Sequence, residues 1–151
     1  MTYIDPASSI RVEQMFAMTN APQGTYAPSY SAPTFTRSFD ARSYMRAMIV
    51  VPVEVVGAGI TLDLKLQKAS SPDFATFTDI AGAAFTQIAP ANDNQTYTAT
   101  IDLSKHQNAI GIHATVTGAT NRARWGVYAI LFPYDTSNSG FGTNITNEFD
   151  I

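Results

Sequence analysis

The chain has no cysteine, only two histidines and few charged residues, and each shortage excludes a class of function. Without cysteine there is no disulfide framework, no thiolate zinc site, no iron–sulfur cluster and no cysteine nucleophile. Charged residues make up 14% of the chain and hydrophobic residues 45%, a composition that disfavours disorder. Nine basic against twelve acidic residues give a net charge of -3, without the basic excess of a nucleic-acid-binding protein.

Long apolar runs are missing as well. The longest such stretch, residues 47–60, is broken by Pro52 and Glu54 and is too short to span a bilayer. The first residues also lack the basic start and apolar run of a signal peptide. A length of 151 residues suits one domain with its own core. We therefore expect one domain that contacts neither a membrane nor, directly, a nucleic acid.

Alternating apolar and polar residues are the main positive signal. Every second residue is apolar in segments 60–67, 96–103 and 110–117, which is typical of strands with one buried face. Segments 44–56 and 125–132 are apolar on both faces, as expected for strands that are covered on both sides. Turn residues separate these runs at regular intervals. We predict an all-β fold, a jelly-roll-like antiparallel β-sandwich with an extended N-terminal arm.

The N-terminal arm is predicted from its prolines, which favour an extended backbone outside a core. The predicted organisation is an extended arm over residues 1–34, a β-sandwich domain over residues 35–135 and a polar C-terminal tail over residues 136–151. Apolar residues between positions 10 and 18 would also allow a short helix. The arm either threads across a neighbouring protein or packs on its own sandwich, and the composition break near Thr34 predicts that the domain folds without it.

No catalytic constellation is visible. His106 and His113 lack serine or aspartate partners at motif-like offsets, and two histidines are too few for the usual metal-dependent jelly-roll enzymes. Asp73 and Asp93 lie in turn-forming sequences, which explains them as turn residues. We predict no enzyme, no catalytic residue, no cofactor and no metal, while a calcium ion held by loop oxygens of Asp93 or Asp135 stays open.

Aromatic residues and arginine in or beside the arm suggest contacts with another protein, because these residue types are favoured as interface anchors. Trp125 and Tyr128 lie within an alternating strand and are predicted to be core or oligomer contacts. The candidate interface residues are Phe16, Tyr26, Tyr30, Phe35 and Arg37.

Three segments carry a resemblance to a known family: the apolar run 44–51, the alternating run 62–69 and the acidic-aromatic turn 71–80. Through them the region 35–134 resembles the small jelly-roll capsid decoration proteins (cement or head-fibre base) of tailed bacteriophages. The resemblance implies a structural protein on the exterior of the virion, bound to the major capsid protein as a homo-oligomer (dimer or trimer) that stabilises the head. Many copies per particle would make modest contacts sufficient.

A carbohydrate-binding β-sandwich module, used for glycan adhesion or as a phage receptor, is the alternative. It would require exposed tryptophan and tyrosine rings that form a flat stacking platform. The two-sided apolar strand 125–132 separately predicts that the protein associates with copies of itself or with a lattice.

Overall fold

The computed structural model describes residues 10–32, 34–70, 73–106, 108–118 and 122–133. None of these residues forms a helix with the length and apolarity of a membrane span. Two short 3-10 turns, Pro90–Asn92 and Leu103–Lys105, accompany the strands. The strands are β1 (Arg11–Ala21), β2 (Gly24–Tyr26), β3 (Ser29–Ser31), β4 (Thr34–Thr36), β5 (Ser38–Asp40), β6 (Tyr44–Val56), β7 (Thr61–Ala69), β8 (Phe77–Ala84), β9 (Gln95–Asp102), β10 (Ala109–Thr117) and β11 (Ala123–Pro133).

Two antiparallel sheets form the domain. Sheet A has the strand order β1-β11-β6-β9, and sheet B has the order β2-β10-β7-β8, with β5 beside β2 along the same edge of β10. With β2 and β5 taken as one interrupted strand and the β3–β4 hairpin left aside, the sandwich has eight strands. Within it β1 pairs with β11, β2 and β5 pair with β10, β6 pairs with β9, and β7 pairs with β8. This is the arrangement of a jelly roll. The predicted all-β sandwich is confirmed.

The core lies between the sheets and follows from the alternation in the sequence. In sheet B, β7 and β10 pair so that Leu62, Leu64 and Leu66 lie beside Val116, Ala114 and Ile112, and all six side chains are buried. The inward residues of β11 in sheet A are buried as well: Trp125, Val127, Ala129 and Leu131. The main core is therefore built from the residues that the period-two pattern indicates.

The N-terminal region is extended, as predicted, but residues 11–26 lie within the sandwich. β1 pairs with β11 as an edge of sheet A, β2 pairs with β10 as an edge of sheet B, and Met15 and Ala21 are buried in the core. The short helix considered for residues 10–18 is wrong. The register of β1 is irregular between Gln14 and Phe16 and again between Phe16 and Thr19, and such bulges disturb the period-two pattern. Residues 1–9 and the predicted tail 136–151 lie outside the described residues.

Residues 27–32 and 34–36, the crossing segment, interrupt the edge of sheet B and lie over part of its outer face. They contain the β3–β4 hairpin. Gly111 of β10 permits the close approach, since a Cβ added there would lie 2.3 Å from the Cβ of Pro28. A second apolar cluster forms under the crossing segment, with Ala69, Phe74 and Ala109 buried against Tyr30, Phe35 and Phe77.

Candidate protein-binding surface

Phe16 and Tyr26, two of the candidate interface residues, close one open side of the sandwich. Phe16 comes from the edge of sheet A and Tyr26 from the edge of sheet B, and both rings pack against the fully buried Trp125. The Phe16 ring stacks on Trp125 at a centroid distance of 4.2 Å, while Tyr26 meets Trp125 edge-on at 6.0 Å. These rings therefore anchor the N-terminal strands to their own domain. Of the two alternatives predicted for Trp125, a core residue or an oligomer contact, the structure shows the core residue.

Tyr30 and Phe35 lie opposite each other in the β3–β4 hairpin, with ring centroids 4.6 Å apart. Both rings contact Phe74, at 5.1 and 5.6 Å, and the Arg42 guanidinium lies 5.1 Å from the centre of the Phe74 ring. Phe74 was not among the predicted site residues, although it lies in the acidic-aromatic segment 71–80 on which the family resemblance partly rests. The pair therefore fastens the crossing segment to sheet B.

Arg37, the fifth candidate, connects the crossing segment to β10. Its Nη1 donates a hydrogen bond of 3.1 Å to the carbonyl of Ala27, and its own carbonyl accepts one of 2.9 Å from the Ile112 amide. Its φ of 53° lies in the left-handed region, which is costly for a residue with a side chain. Nε is buried without a hydrogen-bond partner among the described residues. The five candidates are all half-buried against their own chain, and their contact with a capsid stays a prediction.

The outer face of sheet A carries a group of apolar side chains. We call it the apolar face, and it consists of Val12, Met48, Val50, Tyr128, Ile130 and Phe132. Pairing places Val12, Ile130 and Met48 in one row across three strands, while Tyr128 lies beside Val50 in the next row. Val12 is 63% exposed and the other five side chains are half-buried. The sequence identified the apolar character of strand 125–132, but the sheet order is needed to combine these residues into one surface.

The rim of the apolar face is polar. Arg124 and Glu54 form an ion pair of 3.0 Å at one end of β11 and β6. Near the other end, Arg46 of β6 lies between Phe132 of β11 and Asp102 of β9 in the pairing of the three strands. An apolar centre with charged residues at its margin is the usual composition of a protein interface.

The part of the outer face of sheet B that the crossing segment leaves open is polar. We call it the polar face, and it consists of Asp63, Lys65, Asp79, His113 and Thr115. Lys65 binds Asp79 at 2.7 Å, and Gln67 donates to the same carboxylate at 2.7 Å. The hydrogen bonds from Gln67 and Lys65 lower the pKa of Asp79. Beside β8, an open depression of about 310 Å³ is lined by Asp63, Lys65, Phe85 and His113 among others.

The histidines do not form a catalytic arrangement with the other described residues. Burial, followed by the nearby Lys68, lowers the pKa of His106, and burial together with Lys65 lowers the pKa of His113. Both rings are therefore neutral at pH 7. Within the described part of the chain, no three histidine and carboxylate side chains gather as a metal site would require.

Asp73 behaves as the turn residue that the sequence predicted, whereas Asp93 makes a hydrogen bond to a distant strand. Asp73 accepts a hydrogen bond of 3.2 Å from the amide of Ala75, two residues later in its turn. Asp93 accepts one of 3.1 Å from the amide of Val56, which fixes the loop before β9 to the end of β6. Asp135, the other residue considered for calcium, lies outside the described residues.

The position of Trp125 bears on the alternative function as a carbohydrate-binding module, which requires an exposed tryptophan ring. The indole is fully buried, and its Nε1 has no hydrogen-bond partner among the described residues. A sugar cannot stack on this ring. The exposed tryptophan that the carbohydrate alternative requires is therefore not available, because Phe16 stacks on the indole.

Comparison with known proteins gives a likeness to solved structures alone. No family model matches the chain, and no curated protein matches it. A crystal structure of the infectious bursal disease virus VP2 subviral particle is similar at a TM-score of 0.49 and 14% identity, over 88% of this chain and 36% of that one. A structure of the Gx strain of the same virus is similar at a TM-score of 0.42 and 15% identity, with the same coverage. The chain thus spans little more than a third of the length of either viral chain.

Proposed function

We propose that this chain is a virion structural protein that decorates the outer surface of a capsid lattice and binds the major capsid protein through the apolar face. The apolar face is the observation that carries the proposal. Its six side chains lie on three adjacent, hydrogen-bonded strands, and no described strand packs over them. Contiguous apolar surface with a polar rim marks protein interaction sites on soluble domains.

The composition of the core supports a function that the outer surface of the sandwich carries out. Its inward positions are filled with aliphatic and aromatic side chains, so the described core leaves no polar chamber in which a substrate could be bound. Because the apolar face belongs to a rigid sheet, binding a neighbour costs little conformational entropy there. Burial of apolar area is worth roughly 25 cal/mol per Å², and many copies on one particle multiply a modest single contact.

The test is co-sedimentation of the purified chain with capsid shells that lack it, prepared from the virus that encodes it. We expect saturable binding that an Ile130→Lys substitution weakens strongly, since this change puts a charge in the middle row of the apolar face. A Thr115→Lys substitution on the polar face is the matched control and should bind normally. Failure of the unmodified chain to bind the shells, or equal binding by both variants, would contradict the proposal.

The carbohydrate alternative retains one observation in its favour, which is the depression on the polar face. Asp63 uses one carboxylate oxygen to accept a hydrogen bond of 2.9 Å from Gln87, and the Thr115 hydroxyl lies in register beside it. Such groups can bind sugar hydroxyls. Binding to immobilised neutral polysaccharides that Asp63→Ala abolishes, together with no binding to capsid shells, would favour this function over decoration.

A further inference from the structure

The edges of the two sheets differ in how well they are protected against pairing with another strand. An edge strand offers unpaired N–H and C=O groups, and soluble proteins usually block such edges with bulges, short strands, charge, glycine or proline. β1 has two irregularities of register and begins with the charged pair Arg11 and Glu13. β2 and β5 have three residues each. β8 has an irregular register and contains Gly82 at a φ of 78°.

Apart from Asp102 at its end, β9, the other edge of sheet A, has none of these protections among the described residues. It pairs with β6 through eight consecutive positions without an irregularity. Its sequence, QTYTATID, contains no proline, glycine or lysine and is rich in threonine, which favours strands. Gln95, Thr96 and Thr98 are exposed, whereas Ala99, Thr100 and Ile101 are buried, so the first half of β9 is the open part of this edge.

We propose that β9 pairs antiparallel with β9 of a second copy of this chain, about a two-fold axis at Tyr97. In this register Thr96 of each copy lies opposite Thr98 of the other, and Gln95 lies opposite Ala99. The two sheets A then form one continuous sheet, and the row that contains Tyr128, Val50 and Thr98 continues into the second copy.

A second copy fits this edge for two reasons. One isologous contact covers both unprotected edges and closes the assembly, so no edge is left for further growth. The open half of β9 is uncharged, which gives no basis for selecting an oppositely charged foreign strand, and cross-strand threonine pairs are favourable. The inference rests on the edge alone and does not depend on capsid binding.

Sedimentation velocity of the full chain over a range of concentrations tests the pairing, without capsid shells. We expect a monomer–dimer equilibrium. The double variant Thr96→Lys/Thr98→Lys puts lysines opposite each other twice and should raise the dissociation constant about tenfold or more. The variant Thr96→Asp/Thr98→Asp, measured alone, should also raise the dissociation constant about tenfold or more. An equimolar mixture of the two should restore the dimer, because opposite charges then face each other.

Thr19→Lys, on the exposed part of the β1 edge, is the matched control and should dimerise like the unmodified chain. Circular dichroism and the unfolding midpoint show whether each variant is folded. The proposal is overturned if the unmodified chain is monomeric throughout, if it forms open-ended larger species, or if the folded lysine variant dimerises normally. Failure of the mixed charged variants to pair also overturns it.

Discussion

The outer faces of sheets A and B differ both in composition and in what lies over them. On sheet A the central outward residues of β6 and β11 are apolar, and no described strand packs against them. On sheet B the crossing segment covers one part of the outer face, and the remainder carries the ion-paired residues of the polar face. The strands with two apolar faces are thus the ones that their own described chain leaves uncovered.

This difference shows which sequence feature signals an intramolecular cover. On β7 and β10 the covered part of sheet B has small outward residues, Ala69, Ala109 and Gly111, because another backbone can approach only where side chains are short. Large outward residues such as Ile130 and Phe132 instead provide apolar area for a partner. A strand with two apolar faces therefore indicates either a sheet buried on both sides or an interface with another protein. In this protein, small outward residues mark the place where a segment of the same chain crosses the sheet.

The largest expected effect comes from deletion of residues 1–34, which supply the edge strand of sheet A and the cover of sheet B. The sequence predicted that the domain would fold without them. The structure gives the opposite expectation, since deletion removes Met15 and Ala21 from the core and exposes Trp125. The loss should be comparable to the whole stability of such a domain, above about 5 kcal/mol. Denaturant unfolding followed by Trp125 fluorescence measures it, and a cooperative transition at the original midpoint would contradict it.

Gly111→Ala tests the close approach of the crossing segment to sheet B. The added methyl would lie 2.3 Å from the Pro28 Cβ and 3.1 Å from the Phe77 ring, so the segment must move. We expect a loss of about 1–3 kcal/mol in the free energy of unfolding, the usual range for overpacking. Thr115→Ala, on the same face of β10 but outside the cover, is the control. Equal stability of the Gly111 variant and the unmodified chain would show that the segment does not pack tightly.

Ile130→Lys and Thr115→Lys compare the two uncovered surfaces by their effect on stability. Both positions are half-buried on the outer side of a central strand, so each lysine can extend into solvent. We expect each to change the free energy of unfolding by about 1 kcal/mol or less. If Ile130→Lys instead costs as much as a core substitution, an intramolecular contact covers the apolar face, and its role as a docking surface fails.

The smallest expected effect is the dependence of the free energy of unfolding on pH. It comes from His113 on the polar face and from His106, which follows the Leu103–Lys105 turn. Because the pKa values of His106 and His113 are lowered in the folded protein, the unfolded chain takes up protons first as pH falls through 6.5. Stability should therefore be full above that pH and decrease below it. His106→Gln and His113→Gln should each flatten the decrease, measured by unfolding at neutral and mildly acidic pH. An unchanged profile in both variants would contradict this assignment.

A second decrease should follow in strong acid. The hydrogen bond from Arg42 lowers the pKa of Asp40, and those from Gln67 and Lys65 lower that of Asp79. Their stabilising effect is present above the ordinary carboxyl value of 3.8 and is lost as pH falls through the lowered values. Asp40→Asn should reduce the loss of stability in strong acid and leave the loss just below pH 6.5 unchanged.

Much of the sandwich could be predicted from local patterns, and the surface could be predicted less well. The alternation in β7, β9 and β10 identified strands and their buried faces, because side-chain direction in a strand has a period of two. β1 was missed as an integral strand, since its bulges break that period. Phe16 and Tyr26 were predicted as capsid contacts, which stays a prediction. Their contact with Trp125 was not predicted, since it joins positions far apart in the chain and requires the sheet order.

Composition and periodicity alone determined that this chain builds an antiparallel sandwich. This depends on residue type and spacing along single segments, so it can be predicted locally. The tertiary structure alone decided that Phe16, Tyr26, Tyr30 and Phe35 contact their own domain, that β9 is an edge strand of sheet A within the described chain, and that the apolar residues of three strands form one surface. Each of these depends on which strands become neighbours, and that choice follows from the free energy of the whole core rather than from any single segment.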